Sequence, residues 1–496
     1  MEPQKDASSQ RSNNSSDKYY KNCIKKASWI LRNVSLEPMV FLTIFASMTY
    51  QLIVQNLYLE KACRVEIGFN TSICDAMTNR EGSGYSPDQE RDVQKIVSKM
   101  MALRSFIQGF FPVFILLFAG SWSDRHNKRK PLILLPILGE ILCCISLIIN
   151  TIFFYELPLI LTTLGDSLFF SLMGGWPCLL TGVYSYVGTR TDEHNRTMKI
   201  GFVSASSMAA SIIGSSSAGI IFKSAGFIPS FSICITLFTV ALLLGKFVVE
   251  DNKTKDKNEK SCNFFKEVFH IKYITGVFKI FRKGVTCRII VILLAGVMTV
   301  GPWYGEVNLN YMYTRMKFKW TAVDYSIFSG IQFIVQVTGV LVAIVLFSKI
   351  LKFKDATLGI IAHTGAVTAS LIYATASEGK YFFVGAVCDN FHMSAQVAVR
   401  SLLSKTVAPN ELCQANSLFA LSETALTMIF GPMYSTIYKF TLDIYPGIYF
   451  FISACTRFIG ICIFTWLYAN TSRNKTILFG QKREERVICG DTNLEK

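Results

Sequence analysis

The chain has 496 residues, of which 51% are hydrophobic and only 17% charged, with a formal net charge of +16. A soluble chain of this length divides into several domains and carries about 25% charged residues. The composition excludes an ordinary soluble enzyme, and the positive balance, spread between apolar stretches, is better explained by a membrane than by nucleic acid.

Residues 1–37 are polar and rich in Ser, Asn and Lys, and are expected to be a disordered cytoplasmic N-terminus. No cleavable signal peptide is visible, so the first apolar stretch is expected to act as an uncleaved anchor. Twelve apolar stretches follow, starting near Pro38, Met100, Pro131, Leu157, Ile200, Ile228, Cys287, Tyr325, Ala356, Lys380, Leu412 and Gly447. Each is about 20 residues long, enough to cross roughly 30 Å of hydrocarbon. The expected fold is therefore an all-α membrane protein with twelve transmembrane helices. Its parts are a six-helix N-terminal lobe over 38–245, a central cytoplasmic loop over 246–286, a six-helix C-terminal lobe over 287–469 and a cytoplasmic tail over 470–496. Two halves of six spans are the layout of a carrier that holds its cargo between pseudo-symmetric lobes.

Basic residues support this topology. Lys18, Lys21, Lys25, Lys26 and Arg32 precede the first span. Lys253 to Lys283 fill the central loop, Lys349, Lys352 and Lys354 follow span eight, and Arg473, Lys475 and Lys482 follow span twelve. All fall on one side, which the positive-inside bias makes cytoplasmic, along with both termini. Arg315, Lys317 and Lys319 lie on the opposite side, either as a tolerated exception or as an anion-attracting mouth. Of the 14 Cys, only Cys63 and Cys74 fall in the non-cytoplasmic space, where a disulfide between them is expected. They flank Asn70-Thr-Ser72, an expected glycosylation site. No Cys or His spacing suggests a metal site, and no cofactor is expected.

The break after span two reads Gly120-Ser-Trp-Ser-Asp124-Arg125-His-Asn-Lys128-Arg129. An acid followed by a tight basic cluster between two spans resembles the loop between the second and third helices of major facilitator superfamily carriers. Asn127 stands where that family prefers Gly, and Asn also tolerates left-handed backbone. The resemblance implies that Gly120, Asp124, Arg125, Lys128 and Arg129 form a conformational latch.

Charges inside spans are costly and mark function. The candidates are Arg104, Glu140, Asp166, Glu306, Asp389, His392 and Glu423, with polar neighbours Gln55, Asn56, Asn308, Gln336, Asn390 and Gln396. Arg104 either works in the interior or snorkels toward the cytoplasmic end. Asp166 and Glu140 are either functional or paired structural charges. His392 can relay protons near neutral pH, or simply satisfy a helix–helix hydrogen bond. Glu423 interrupts a run of small and apolar residues and is the expected proton site of the second half. Span seven contains Gly301-Pro302-Trp-Tyr-Gly305-Glu306, a pattern expected to break the helix beside a cavity. Span five is rich in small residues from Gly201 to Gly219, which suits either tight packing or sliding.

Further stretches narrow the resemblance: Glu37-Pro38, Arg400-Ser-Leu-Leu-Ser-Lys405, Gln414-Ala-Asn-Ser-Leu-Phe419 and Tyr445-Pro-Gly447. From Glu37 to about Tyr468 the chain resembles the solute carrier 46 family. That resemblance implies proton-driven symport of bulky organic anions: folates, nucleotide-like or peptidoglycan-derived molecules. The folate-carrying member has an acid in span five, a His in span seven and an acid deep in span four. This chain has Ser204, Val300-Gly301-Pro302 and Gly174 there, so other carboxylates must couple protons. That member also bridges its first external loop to a Cys between spans seven and eight, which this chain lacks, favouring the local Cys63–Cys74 pair. Arg400 matches the family's span-ten Arg.

The expected function is alternating-access transport of a small organic anion, coupled to protons, at the plasma membrane or an endolysosomal membrane. Substrate contacts are expected from Gln55, Asn56, Glu306, Asn308, Gln336, Asn390 and Arg400, and coupling from Glu423, His392, Asp166, Asp389 and Glu140. A transporter-like receptor without net flux and an uncoupled facilitator are the alternatives. An enzyme is not expected, since no nucleophile–base or metal motif lies on the spans.

Overall fold

The structure is a computed structural model that describes residues 36–126, 128–190, 193–249, 286–406 and 412–491. The expected disordered N-terminus (1–35), the central loop from 250 to 285 and the end of the tail lie outside the described residues.

Apolar surroundings leave backbone groups no partner but one another, so spans become helices. The first is α1, Glu37–Lys61, with Pro38 in its first turn, where the missing N–H costs nothing, and Glu37 beside the positive helix end. It runs on as a π-helical turn, Ala62–Ile67, which Gly68 ends at φ +75°. A short α2, Thr71–Asn79, is joined to that turn by a Cys63–Cys74 disulfide. Then come α3 (Pro87–His126), α4 (Lys130–Ile152), α5 (Leu159–Leu172), α6 (Gly175–Arg190), α7 (Glu193–Ala225) and α8 (Phe227–Val248). The second half holds α9 (Thr286–Val307), a short α10 (Asn310–Phe318), α11 (Ala322–Val342, extended by a π-helical stretch to Ile350), α12 (Asp355–Thr375), α13 (Gly379–Cys388), α14 (His392–Thr406), α15 (Leu412–Thr441) and α16 (Ile448–Asp491). Helix α16 continues well past residue 470, where the tail was expected to begin.

Ten helical segments among the described residues are long and apolar enough to cross a membrane. The remaining two units, α13 with α14 and α15, carry more polar side chains and fall below that apolarity, yet pack among the others against α12, α9 and α3.

Within each half the helices pack on one another, α1 on α8, α4 on α8, α12 on α16 and α9 on α15. Two seams join the halves: α3 with α15, and α7 with α11. Both are built on glycine. A Cβ on Gly109 of α3 would meet the backbone nitrogen of Met428 at 2.5 Å, and one on Gly219 of α7 would collide with the carbonyl of Ala322. The small residues of span five are therefore a close-packed cross-lobe seam.

Helix α9 is continuous through Pro302 to Val307, contrary to the expected break. Its glycines serve close approach instead, because the rings of Phe430 and Tyr434 on α15 lie over Gly301 and Gly305. The breaks lie in spans four and ten. Span four is interrupted between α5 and α6 at Gly174 and Gly175, both with left-handed backbone (φ +98° and +59°). Span ten is interrupted at Asp389–Phe391, and the carbonyl of Asn390 presses against Gly339 of α11, where no side chain would fit.

Candidate transport path and intramembrane ion pairs

A cleft lies between the two halves, with about 550 Å³ of space including its open mouth. The N-terminal half contributes Gln51 and Gln55 from α1 and Ser215 from α7. The C-terminal half contributes Trp303 from α9 and Tyr325, Ser329 and Phe333 from α11. The wall is thus aromatic and amide-bearing, the lining expected of a site for a bulky organic molecule. No charged side chain is part of it.

Above the cleft the halves are bolted together. Tyr311 donates to Asn56 Oδ1 at 2.7 Å, and Asn308 donates to Ser105 at 3.1 Å. Gln94 of α3 donates to the Met312 carbonyl and accepts from Tyr438 at 2.6 Å. Arg80, at the end of α2, pairs with Glu90 at 2.7 Å and also donates to the Arg315 carbonyl. Arg315 donates to the Met77 carbonyl at 2.8 Å and faces Glu90 at 3.7 Å. Lys95 reaches Asp443 at 2.8 Å. Arg315 is only 3% exposed, so it fastens this end and offers no mouth for anions. Lys317 donates to Tyr313 and the Ala374 carbonyl, and its burial pushes the ammonium below its usual value. These contacts cluster at the end bearing the disulfide. The opposite end holds Lys130, which donates to the Lys246 carbonyl, and Lys405, which pairs with Asp355 at 2.6 Å; both bonds stay within one half.

Each half also has a buried ion pair. In the first, Asp166 of α5 accepts from Arg104 of α3 at 2.5 Å, from Tyr58 at 2.9 Å and from Tyr50. Arg104 is held in this pair inside the lobe, and both carboxylate oxygens of Asp166 are occupied. In the second, Glu306 of α9 meets Arg457 of α16 at 3.0 Å, and Arg457 donates as well to Ser370.

A third pair differs in setting. Arg400 of α14 reaches Glu423 of α15 at 3.2 Å, and Gln396 donates to the same carboxylate at 2.5 Å. The Arg400 guanidinium stands over the Phe419 ring at 5.3 Å, and its side chain is 53% exposed.

Two helical halves, glycine seams between them and a cleft sealed by cross-lobe bonds on one side make up the frame. The Major Facilitator Superfamily profile matches residues 39–432. The chain belongs to the Major Facilitator Superfamily. It is 25% identical to the lysosomal proton-coupled steroid conjugate and bile acid symporter of Gallus gallus over 88% of this chain and 94% of that one. It is 22% identical to the probable peptidoglycan muropeptide transporter of Drosophila melanogaster, over 88% and 86%. It is 23% identical to the proton-coupled folate transporter of Rattus norvegicus, over 86% and 90%. All three are solute carriers of family 46 or its folate-transporting kin, and none is an enzyme. Among solved structures the fold matches the human organic anion transporter MFSD10 (TM-score 0.61, 12% identity, 87% of this chain and 99% of that one). It also matches a peptide transporter in complex with sulfate (TM-score 0.61, 12% identity, 89% and 94%). The chain is thus a multi-pass transporter of the major facilitator kind.

Within that superfamily frame the sequence-derived residues separate. Gln55 lines the cleft. Asn56 and Asn308 are spent on cross-lobe bonds above it, and Glu306 is buried against Arg457. Gln336 donates to Asp389 at 3.4 Å, and Asn390 sits at the break in span ten. Neither these five nor Arg400 lines the cleft; Asn56, Asn308, Glu306, Gln336 and Arg400 instead bond to other side chains of the bundle. Glu140 accepts from Ser47 at 3.3 Å, and His392 Nδ1 lies 3.9 Å from Asp389. In the superfamily loop, Gly120 and Asp124 lie on the last turns of α3, and the Asp124 and Arg125 side chains lie outside what is described. Ser123 accepts from Arg129 at 2.9 Å and donates to the Lys128 carbonyl, so this loop is tied back to α3. Asn70 is exposed at the start of α2, an accessible position for a glycan.

Sequence reasoning missed Arg457, the largest fully buried side chain. The signal was available, since a lone Arg in Cys455-Thr-Arg457-Phe inside span twelve meets the same test that selected Arg104. It also passed over His363, buried on α12 with Thr299 at 3.4 Å.

Proposed function

We propose that this protein is a proton-coupled symporter of an organic anion with an apolar or aromatic body. The half-exposed Arg400–Glu423 pair carries the reading. A guanidinium on a spanning helix cannot stand in lipid, so one that is exposed faces an aqueous path. It is the charge available to a cargo anion, while Trp303, Tyr325 and Phe333 accept the body and Gln51 and Gln55 its polar groups.

The pair also supplies the coupling. With Glu423 ionised, Arg400 is occupied. A proton on Glu423 removes its charge and frees Arg400 for the cargo, so proton and anion load together. The seal above the cleft, taken with the basic segments at the other end, supports a state closed outward and facing the cytoplasm. The relatives named for steroid conjugates, muropeptides and folate supply the classes of cargo to try first.

The test is uptake of labelled bile-acid conjugates, muropeptides and folates at acidic and neutral external pH, in cells where the protein is located by surface labelling and lysosomal imaging. Acid-stimulated uptake of one anion, abolished by a protonophore, is expected. Glu423→Gln should remove the pH dependence, and Arg400→Ala the affinity. Uptake that ignores both pH and protonophore would overturn the coupling.

A further inference from the structure

Counting buried charge gives the two lobes the same composition. Among the described residues, and setting aside Lys61, Glu90, Arg129 and Arg315 near the helix ends, the buried charged side chains are Arg104, Glu140 and Asp166 in the N-terminal lobe and Glu306, Asp389 and Arg457 in the C-terminal lobe. Each lobe has one guanidinium and two carboxyls. Each guanidinium is committed to one carboxyl, Arg104 to Asp166 at 2.5 Å and Arg457 to Glu306 at 3.0 Å. The carboxyl left over is held only by a neutral donor. Ser47 donates to Glu140 Oε1 at 3.3 Å, and Gln336 donates to Asp389 Oδ2 at 3.4 Å. The other oxygen of Asp389 is buried without a partner.

Two full negative charges against one positive charge leave each lobe with an uncompensated anion inside a membrane. A buried carboxyl in that position neutralises itself by keeping a proton. We infer that Glu140 and Asp389 are two proton-binding sites, one in each lobe, and that both are neutral acids in this state. The surroundings of each are consistent with that. Glu140 is faced by Ser47 and Tyr50 of α1, Arg104 of α3, Asp166 of α5, Cys143 and Cys144 of α4 and Cys234 of α8. Asp389 is faced by Gln336 of α11, Tyr373 of α12, His392 of α14 and Arg457 of α16, and Glu306 of α9 meets the same Arg457. His392 Nδ1 stands 3.9 Å away, beyond a hydrogen bond, and faces Arg457, which opposes a second positive charge there. The proton therefore rests on the acid.

Each site is tied through its donor to a helix that lines the cleft. Ser47 is followed by Met48, and Gln336 is one turn from Phe333; Met48 and Phe333 line the wall. Loss of either proton places a negative charge behind one wall, against a bound anion. By linkage, a bound anion holds both protons in place. This transport meaning rests on the proton-coupled reading above, but the protonation itself does not.

The test is infrared difference spectroscopy of the purified full-length protein in an ester-free detergent at neutral pH, in H₂O and D₂O, with no cargo. The expected spectrum has two carboxylic-acid carbonyl components that shift in D₂O. Glu140→Gln removes one, Asp389→Asn the other, and the double variant both. Ser47→Ala and Gln336→Ala, which keep the acids, should each move one component to higher frequency; they serve where a substituted acid unfolds the protein. Absence of acid carbonyl components, or components that all four substitutions leave unchanged, would overturn the inference. Because nothing is transported, such a result leaves the Arg400–Glu423 reading standing, and a failure of uptake leaves these sites standing.

Discussion

Removing Glu90 should open the sealed end. Glu90 is 5% exposed and is shared by Arg80 at 2.7 Å, from its own lobe, and Arg315 at 3.7 Å, from the other. In Glu90→Ala two guanidiniums stay buried together without their shared carboxylate, and the Arg80 and Arg315 side chains are each only 4% exposed. Breaking one side of a buried ion pair costs about 3–5 kcal/mol. Once the lobes separate, both arginines are hydrated, so that cost falls on the closed state alone. At about 1.4 kcal/mol per factor of ten, the closed-to-open ratio falls by roughly two to three and a half orders of magnitude. Lys95 and Asp443, 2.8 Å apart across the seam, report it. With cysteines at both positions and a protease site in the 250–285 loop, oxidative cross-linking holds the cleaved halves together on a gel. The cross-link should form quickly on the Glu90 background and slowly in Glu90→Ala. Adding Arg315→Ala to Glu90→Ala should restore part of the rate by removing one stranded charge. Equal rates with and without Glu90 would refute the assignment of the seal to these charges.

Three further outcomes are expected. Arg457→Met should lower the melting temperature, since it strands Glu306 at a cost of about 3–5 kcal/mol, and Glu306→Gln added to it should recover much of the loss. Gly219→Val should force α7 and α11 apart, because the obstacle is the Ala322 backbone, which cannot rotate away; a slower Lys95/Asp443-position cross-link would report it, and an unchanged one would speak against the seam. Cys63→Ser should destabilise α2 by about 3 kcal/mol through the lost loop constraint, the bridged residues being 11 apart in sequence. Faster proteolysis between residues 68 and 86 checks this.

The all-helical membrane fold was legible because membrane solvation writes it into composition, and the superfamily because of the motif after span two. Hydropathy fixes where a helix lies but not which way its polar groups face. Glu306 and Asn308 met every sequence test for cargo contact, yet the structure turns one to Arg457 and the other to Ser105. Pairing of residues 151 positions apart, as in Glu306–Arg457, leaves no local trace. The misplaced helix break has a similar cause. Gly301, Pro302 and Gly305 signal weak helix in isolation, but the rings of Phe430 and Tyr434 need the space those glycines leave. Conversely, Gly174-Gly175 offered a break signal in plain view, and there the left-handed backbone did require it.

The interruptions at Gly174 and at Asp389–Phe391 divide the fourth helix of each half into two rods with a joint between them. A lobe with a joint is not a single lever. An interruption of this kind would let the rod on one side, α6 in one half and α14 in the other, turn relative to α5 and α13. Because Arg400 rides on α14 and Asp389 sits at its joint, one small rotation would move the charge proposed to meet the cargo and disturb the buried acid together. Stiffening the joint, rather than changing any charge, would then be the mutation that separates binding from movement.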